Sequence, residues 1–318
     1  MNIDVSPLFD DEYIDNLYSN KSVLISAIKG YIKRVFVLRK VRKYDKIFVE
    51  KELFPYCPAV VEKILALIGI KYIVDYDDAI FHHYDMNSNW LIRFLLKEKI
   101  NKVMKYSQVV IAGNNYLASK AKKTGAKRIE IMPTIIDLSR YSIKKIEEKK
   151  PVIIGWIGSQ NTLTYLMTIK SALQQIMYEY DVELHIIGAD ATLELGDKEK
   201  HIKWIEETEV QSLLDCDIGI MPLLDTPWEQ GKCGYKLIQY MACGLPVIAS
   251  AIGANNDIVK HEQNGFLVNS PEEWINAFEQ YITDATLRAV HGEYGRNIVE
   301  NKYCIDRQLN NYMTILSS

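Results

Sequence analysis

Short, almost unbroken apolar runs recur along the chain, at 46–50 (KIFVE), 71–76 (KYIVDY), 108–113 (QVVIAG), 128–132 (RIEIM) and 151–158 (PVIIGWIG). Five more follow at 182–188 (VELHIIG), 201–205 (HIKWI), 216–222 (CDIGIMP), 245–250 (LPVIAS) and 264–268 (NGFLV). Runs of this length, apolar on both alternating sets of positions, read as strands buried on both faces. Between them lie stretches with helical spacing, at 11–43, from Pro58 to 68, 90–105, 115–123, 162–180 and 209–214. Everything after Pro271 is helical in pattern, ending in CIDRQLNNYMTIL at 304–316. Strands alternating with helices specify parallel sheets joined by right-handed crossovers, and so an α/β class. The first six residues read as a short strand ending at Pro7, without the glycine loop that opens most such sheets, since the first glycine is Gly30. The charged connector SRYSIKKIEEKK at 139–150 lacks apolar periodicity and marks a domain boundary.

The stretch 227–250, PWEQGKCGYKLIQYMACGLPVIAS, combines a glycine-broken loop, a short helix and a buried strand. On one helix, Lys232, Lys236 and Gln239 share a side while Leu237, Ile238 and Met241 take the other. Gly231 and Gly234 permit close backbone approach, and a helix N-terminus favours an anion. Together these features describe a diphosphate site. The alternative is a solvated helix that merely carries two lysines, the commoner meaning of that spacing without the flanking glycines.

Composition sharpens this picture. A chain of 318 residues, 48% of them apolar, is long enough for about two domains with sizeable cores. No apolar run reaches the ~18 residues that span a bilayer, and no leader pattern precedes the fold, which places the chain in the cytoplasm. Five cysteines (57, 216, 233, 243 and 304) with no Cys-x-x-Cys pair point to reduced, buried thiols and away from a disulfide framework or zinc site. Residues 1–150 hold 27 Lys and Arg against 18 Asp and Glu, whereas the remainder holds 11 against 23. The positive half includes KGYIKRVFVLRKVRKYDK at 29–46, with eight basic residues against one acid and Val35, Val37, Leu38 and Val41 interleaved. Such a segment either lies on an anionic membrane surface or is an ordinary helix with its apolar side on the sheet. It lacks stacking aromatics interleaved as in a recognisable nucleic-acid-binding module, so nucleic acid is the poorer reading and is not assigned as a partner.

A second candidate constellation follows the 71–76 strand. DYDDAIFHHYD brings Asp75, Asp77, Asp78, His82 and His83 to a strand's carboxyl end, where ligands gather in open α/β sheets. Asp75-Tyr76-Asp77 spells an Asp-x-Asp metal motif, but so does Asp215-Cys216-Asp217, so the match carries no weight and no metal is assigned.

These residues carry a resemblance. DIGIMPL, GKCGYKLIQYMACGLPVIAS, NGFLV and the EEW helix resemble the donor half of GT-B fold glycosyltransferases, specifically the retaining glycosyltransferase family 4 (glycosyl transferases group 1). VDYDDAIF, VVIAGNNYLASKA and IMPTIID resemble its acceptor half. The resemblance implies two Rossmann-like domains with parallel sheets facing across a cleft. An acceptor-binding domain would span 1–140, with a divergent first strand, and be joined by the final helix at about 303–318. A nucleotide-sugar donor domain would span 151–300.

The same resemblance assigns roles. Gly158 and Ser159 fall on the loop that approaches the donor phosphates; Gly188, Glu229, Gly231, Lys232, Cys233, Lys236 and Gln239 complete the donor set. Gln239 stands where the family's second glutamate binds ribose, and Gly231 where its first would stand; an amide can still bond a diol. Asp77, Asp78 and Lys236 take the catalytic places, and His82, His83 and Asn114 the acceptor side. The implied activity is retaining, metal-independent transfer of a hexose from a nucleotide-diphosphate sugar, without a cofactor, to a glycan or lipid-linked acceptor. The setting would be surface polysaccharide or glycoconjugate synthesis at the inner face of the membrane. The alternatives are a donor-binding, inactive partner subunit and a GT-B-like nucleotide-sugar epimerase.

Overall fold

A computed structural model describes residues 3–19, 21–145 and 151–317. The chain divides into two compact units: one comprises 1–76, 80–112 and 118–131, the other 77–79, 113–117 and 132–318.

The first unit holds a four-stranded parallel sheet in the order β1-β2-β3-β4, formed by Ile47–Glu50, Tyr72–Tyr76, Val109–Ala112 and Ile129–Ile131. β3 is buried along its whole length, as its unbroken apolar run requires. The helical stretch at 11–43 resolves into helices Asp11–Tyr18 and Leu24–Leu38 and a single 3₁₀ turn, Val41–Lys43, with Asn20 outside the described residues. The helix expected over 90–105 divides at Lys97 and Glu98 into Trp90–Leu96 and Lys99–Tyr106. Ile3–Ser6 forms no strand, and Met1 and Asn2 lie outside the described residues. Its Ile3 and Val5 side chains are 72% and 84% exposed, and side chains hold it in place of a ladder: Arg34 Nη2 donates to Ser6 O at 2.9 Å and Tyr44 to Asp4 at 2.8 Å.

The second unit holds a six-stranded, all-parallel sheet. In chain order its strands are β5 (Val152–Ile157), β6 (Val182–Ile187), β7 (Glu199–Ile202), β8 (Ile218–Met221), β9 (Val247–Ser250) and β10 (Gly265–Val268). Their spatial order is β10-β9-β8-β5-β6-β7. β7 begins two residues before the HIKWI run, where Glu199 pairs with Leu184, and ends at Ile202, so that half-exposed Trp204 and Ile205 lie beyond the sheet. Two cores flank the sheet. Val152, Ile154 and Trp156 pack with helices Lys170–Glu179 and Pro271–Thr283, while Ile157 packs on the opposite face with helix Tyr235–Ala242. The single helix expected over 162–180 divides around Thr168 and Ile169 into Leu163–Met167 and Lys170–Glu179. A Ser270–Glu273 capping box starts the Pro271–Thr283 helix, and Ala285–Lys302 and Ile305–Ser317 close the chain. Residues 146–150 of the connector and Ser318 of the last helix lie outside the described residues.

Candidate active site

Strand order reverses at β5, which pairs with β6 on one side and β8 on the other. Open parallel sheets bind ligands at such a switch point, outside the carboxyl ends of the strands. β5 and β8 pair only through Ile154↔Ile218 and Gly155↔Gly219. Beyond that they are bridged by Tyr240: its hydroxyl accepts from Ile157 N at 2.8 Å and donates to Ile220 O at 3.4 Å. The crevice is therefore built into the sheet and fastened by the helix that carries Lys236.

Gly158 follows β5, and its N–H donates to Ile187 O at 2.9 Å. A Cβ on Gly158 would strike the Trp156 ring, while one on Gly188 (φ +92°) would stand 2.7 Å from Gly158 O. The two glycines thus form the tight, side-chain-free end of β5 and β6. Ser159 is exposed and opens the turn Gln160–Thr162.

On the other side of the switch point, β8 leads into helix Pro227–Gln230 and the lysine loop. Gly234, at φ +70°, is the N-cap of helix Tyr235–Ala242, so Lys232 stands in the loop ahead of the helix and does not share its face with Lys236 and Gln239. The helix start has no side-chain cap, which leaves its first turn for a ligand or solvent to satisfy. Both lysines rest on aromatic rings: Lys236 Nζ lies 4.8 Å from the Trp156 ring centroid and Lys232 Nζ 5.8 Å from that of Tyr165. Burial, and then the charge of Lys232, pulls the Lys236 amine down to about 8. Two cations are thus held near each other, partly out of water.

The remaining donor-set residues make their contacts within the fold. Glu229 is buried and accepts from Tyr165 Oη at 2.6 Å and from Thr226 Oγ1. Gly231 is packed against Ala79, and the Cys233 thiol is buried. Gln239 is only 2% exposed; its Nε2 donates to Glu209 Oε1 at 2.7 Å and to Tyr141 Oη at 3.2 Å. Glu209 also accepts from Trp204 Nε1 at 2.6 Å. Trp156, Tyr165 and Glu209 were not singled out in the sequence: each sits inside an ordinary apolar or helical pattern, and only the packing reveals what it touches.

Asp77 and Asp78 belong to the second unit, and the charge of Asp78 helps to push the Tyr165 hydroxyl pKa up, after burial and the Glu229 bond. Asn114 also belongs there: its Nδ2 donates to Lys232 O at 3.0 Å and Gln230 O at 3.3 Å, and its Oδ1 accepts from Leu117 N. It buttresses the lysine loop. His82 and His83 lie in the first unit, on helix His82–Asp85. His82 Nδ1 faces Asp85 Oδ1 at 2.7 Å, Lys120 Nζ lies 3.6 Å from Asp85 Oδ2, and His83 is exposed. Asp217, from the second Asp-x-Asp, is fully buried; it accepts from Ile153 N at 2.9 Å and pairs with Lys144 Nζ at 2.7 Å. It is a structural anchor.

Residues 150–284 match the family model described as glycosyl transferases group 1. An uncharacterized glycosyltransferase of Methanocaldococcus jannaschii is 24% identical over 173 residues, which is 50% of this chain and 42% of that one. The glycosyltransferase TuaH of Bacillus subtilis, named for teichuronic acid biosynthesis, is 23% identical over 259 residues, 72% of this chain and 63% of its own length. The chain therefore spans less than two thirds of either relative. Among solved structures, Anabaena HepE in complex with UDP and glucose superposes with a TM-score of 0.70 at 17% identity, covering 90% of this chain and 81% of that one. The chain has the GT-B fold, and its 150–284 region, which contains the switch point and both lysines, matches the glycosyl transferases group 1 model.

Proposed function

We propose that the chain is a retaining glycosyltransferase that moves a hexose from a nucleotide-diphosphate sugar to a glycan or lipid-linked acceptor. One observation carries this reading: Lys232 and Lys236 stand at the switch point of the six-stranded sheet, each over an aromatic ring, beside an uncapped helix start. A diphosphate placed there meets cations whose desolvation has already been met by the fold. As the glycosidic bond to the donor phosphate breaks, negative charge grows on the leaving diphosphate, and preorganised cations and N–H groups lower that barrier. The side-chain-free end formed by Gly158 and Gly188 admits the phosphates to backbone distance. This charge arrangement supports metal-independent chemistry, with no cofactor beyond the donor. Asp77 and Asp78 are the proposed groups at the reacting carbon, and His82 and His83 the proposed acceptor contacts.

The complex of HepE with UDP and glucose makes UDP-glucose the first donor to test. The name of TuaH supports surface polysaccharide synthesis as the setting, with the chain at the inner face of a membrane. Among the described residues no helix is long and apolar enough to cross a bilayer, so the proposed association is peripheral. The test is a donor screen with purified chain, with and without a chelator, in the presence of lipid-linked and glycan acceptors. Product NMR then reads the anomeric configuration. Transfer with the donor's configuration kept and no loss on chelation is expected. An inverted product would reject the retaining mechanism, and donor binding without transfer would favour an inactive partner subunit. Conversion of the donor alone to an epimer would favour an epimerase.

A further inference from the structure

Helix Leu24–Leu38 is turned inside out. At ~100° per residue, Leu24, Ile25, Ile28, Ile32, Val35 and Phe36 fall within a single arc of about 120°, and all six are between 46% and 69% exposed. The opposite arc faces the protein with Ser26, Gly30 and Arg34, beside half-buried Tyr31, Val37 and Leu38. Ser26 is buried, Gly30 is pressed against Leu8 O so closely that a Cβ would collide, and Arg34 donates to Ser6 O at 2.9 Å. The packed side mixes small and polar residues with Tyr31, Val37 and Leu38, while six large apolar side chains have been left to solvent. A water-soluble surface rarely carries an apolar arc of this size without a partner.

Charge identifies the partner. Lys29 edges the arc and Lys33 lies about 60° beyond it, and Arg39, Lys40, Arg42 and Lys43 follow the end of the helix; all are exposed. Lys29 Nζ lies 3.7 Å from Glu12 on helix Asp11–Tyr18, which also carries exposed Asp11 and Asp15. An apolar face fringed by cations is what an anionic lipid surface complements, with aliphatic side chains among the acyl ends of the headgroup layer and the cations at the phosphates. A second copy of the chain would bring the same positive fringe against it and be repelled. The same unit carries a second outward apolar set, Trp90, Leu91, Phe94 and Leu95, between 47% and 70% exposed on helix Trp90–Leu96, with exposed Arg93 and Lys97. Tryptophan is a residue favoured at the membrane–water boundary. We infer that the Leu24–Leu38 helix docks the first unit onto an anionic bilayer surface, lying in the plane of the headgroups. This deepens the membrane part of the function proposed above, but vesicle binding needs neither donor nor transfer, so either can fail without the other.

The test is co-sedimentation of the full chain with vesicles of phosphatidylglycerol and phosphatidylcholine, or of phosphatidylcholine alone, at low and high salt. Binding to the anionic vesicles, weakened by salt and lowered at least tenfold in Ile28→Glu/Ile32→Glu, is expected. Lys29→Glu/Lys33→Glu should lower binding to anionic vesicles only. Both pairs are exposed, so unchanged thermal unfolding and an unchanged donor-induced shift in Tm should accompany the loss. No binding, equal binding to both vesicle types, or full binding by the isoleucine variant would overturn the proposal. A concentration-dependent dimer abolished by Ile28→Glu/Ile32→Glu would instead make this face a self-association surface.

Discussion

Burial against Trp156 and the neighbouring Lys232 charge lower the Lys236 amine to about 8, which makes its charge costly in the free protein and valuable once an anion arrives. The folded value lies below the unfolded one, so the group weighs against stability while it is charged. That penalty is lifted as pH rises from about 8 toward the unfolded value of 10.5. Lys236→Met should therefore lower kcat/KM for the donor by ~10²–10³-fold and raise Tm of the ligand-free chain by about 2 °C; paired turnover assays and thermal scans check it. A variant with near wild-type turnover would remove Lys236 from the site. For the same reason donor KM should stay level from neutrality to about pH 8 and climb above it, by roughly tenfold at one pH unit higher. A donor KM flat across that range would show that the charge on this amine does not bind the donor. Lysine chemistry was legible in the sequence because glycines flank it, whereas the ring beneath each lysine was not: Trp156 and Tyr165 are far from them along the chain.

Elements decide where those lysines stand. Gly234 holds φ +70° as the helix begins, and a Cβ there would also meet Ile258. Gly234→Ala should cost ~1–2 kcal/mol or more, read by denaturant unfolding, and move Lys236 relative to β5. Sequence spacing alone placed Lys232 and Lys236 on one helix face, because a left-handed residue between them leaves no mark in the polar and apolar pattern. The same limit explains helix Leu24–Leu38: periodicity shows that an apolar arc exists but not which way it faces. The connector residue Lys144 and Asp217 form a buried pair at 2.7 Å. Asp217→Ala leaves a cation uncompensated and frees Ile153 N, so a loss of ~3–5 kcal/mol is expected; a loss under ~1 kcal/mol would mean that the pair is effectively solvated. Asn114→Ala should raise donor KM more than it lowers Tm, since its amide fastens the Lys232 and Gln230 carbonyls. Unchanged donor KM would reduce Asn114 to a local turn former.

At the scale of the whole molecule, the alternation of buried strands and helices was legible over residues 151–317, apart from the bounds of β7 and the break at Thr168 and Ile169, because strands buried on both faces give long apolar runs. The opening residues were read less well, because Ile3–Ser6 is held by side chains of Arg34 and Tyr44 in place of a strand partner. Gln239, aligned with a ribose-binding acid in the resembling family, is turned inward to Glu209 and Tyr141, and no sequence pattern tells a buried amide from one facing a ligand. The charge difference between the two halves of the chain is a molecular property: the positive half carries the proposed lipid surface, while the acidic half still concentrates two cations at its switch point. The function proposed above requires this switch point to hold the diphosphate of a nucleotide-sugar. Isothermal titration of UDP into the full chain and into Lys236→Ala tests it most directly. Saturable binding to the wild type is expected, weakened at least tenfold by the substitution in a protein that unfolds as cooperatively as before. Equal affinity in the two proteins would contradict it.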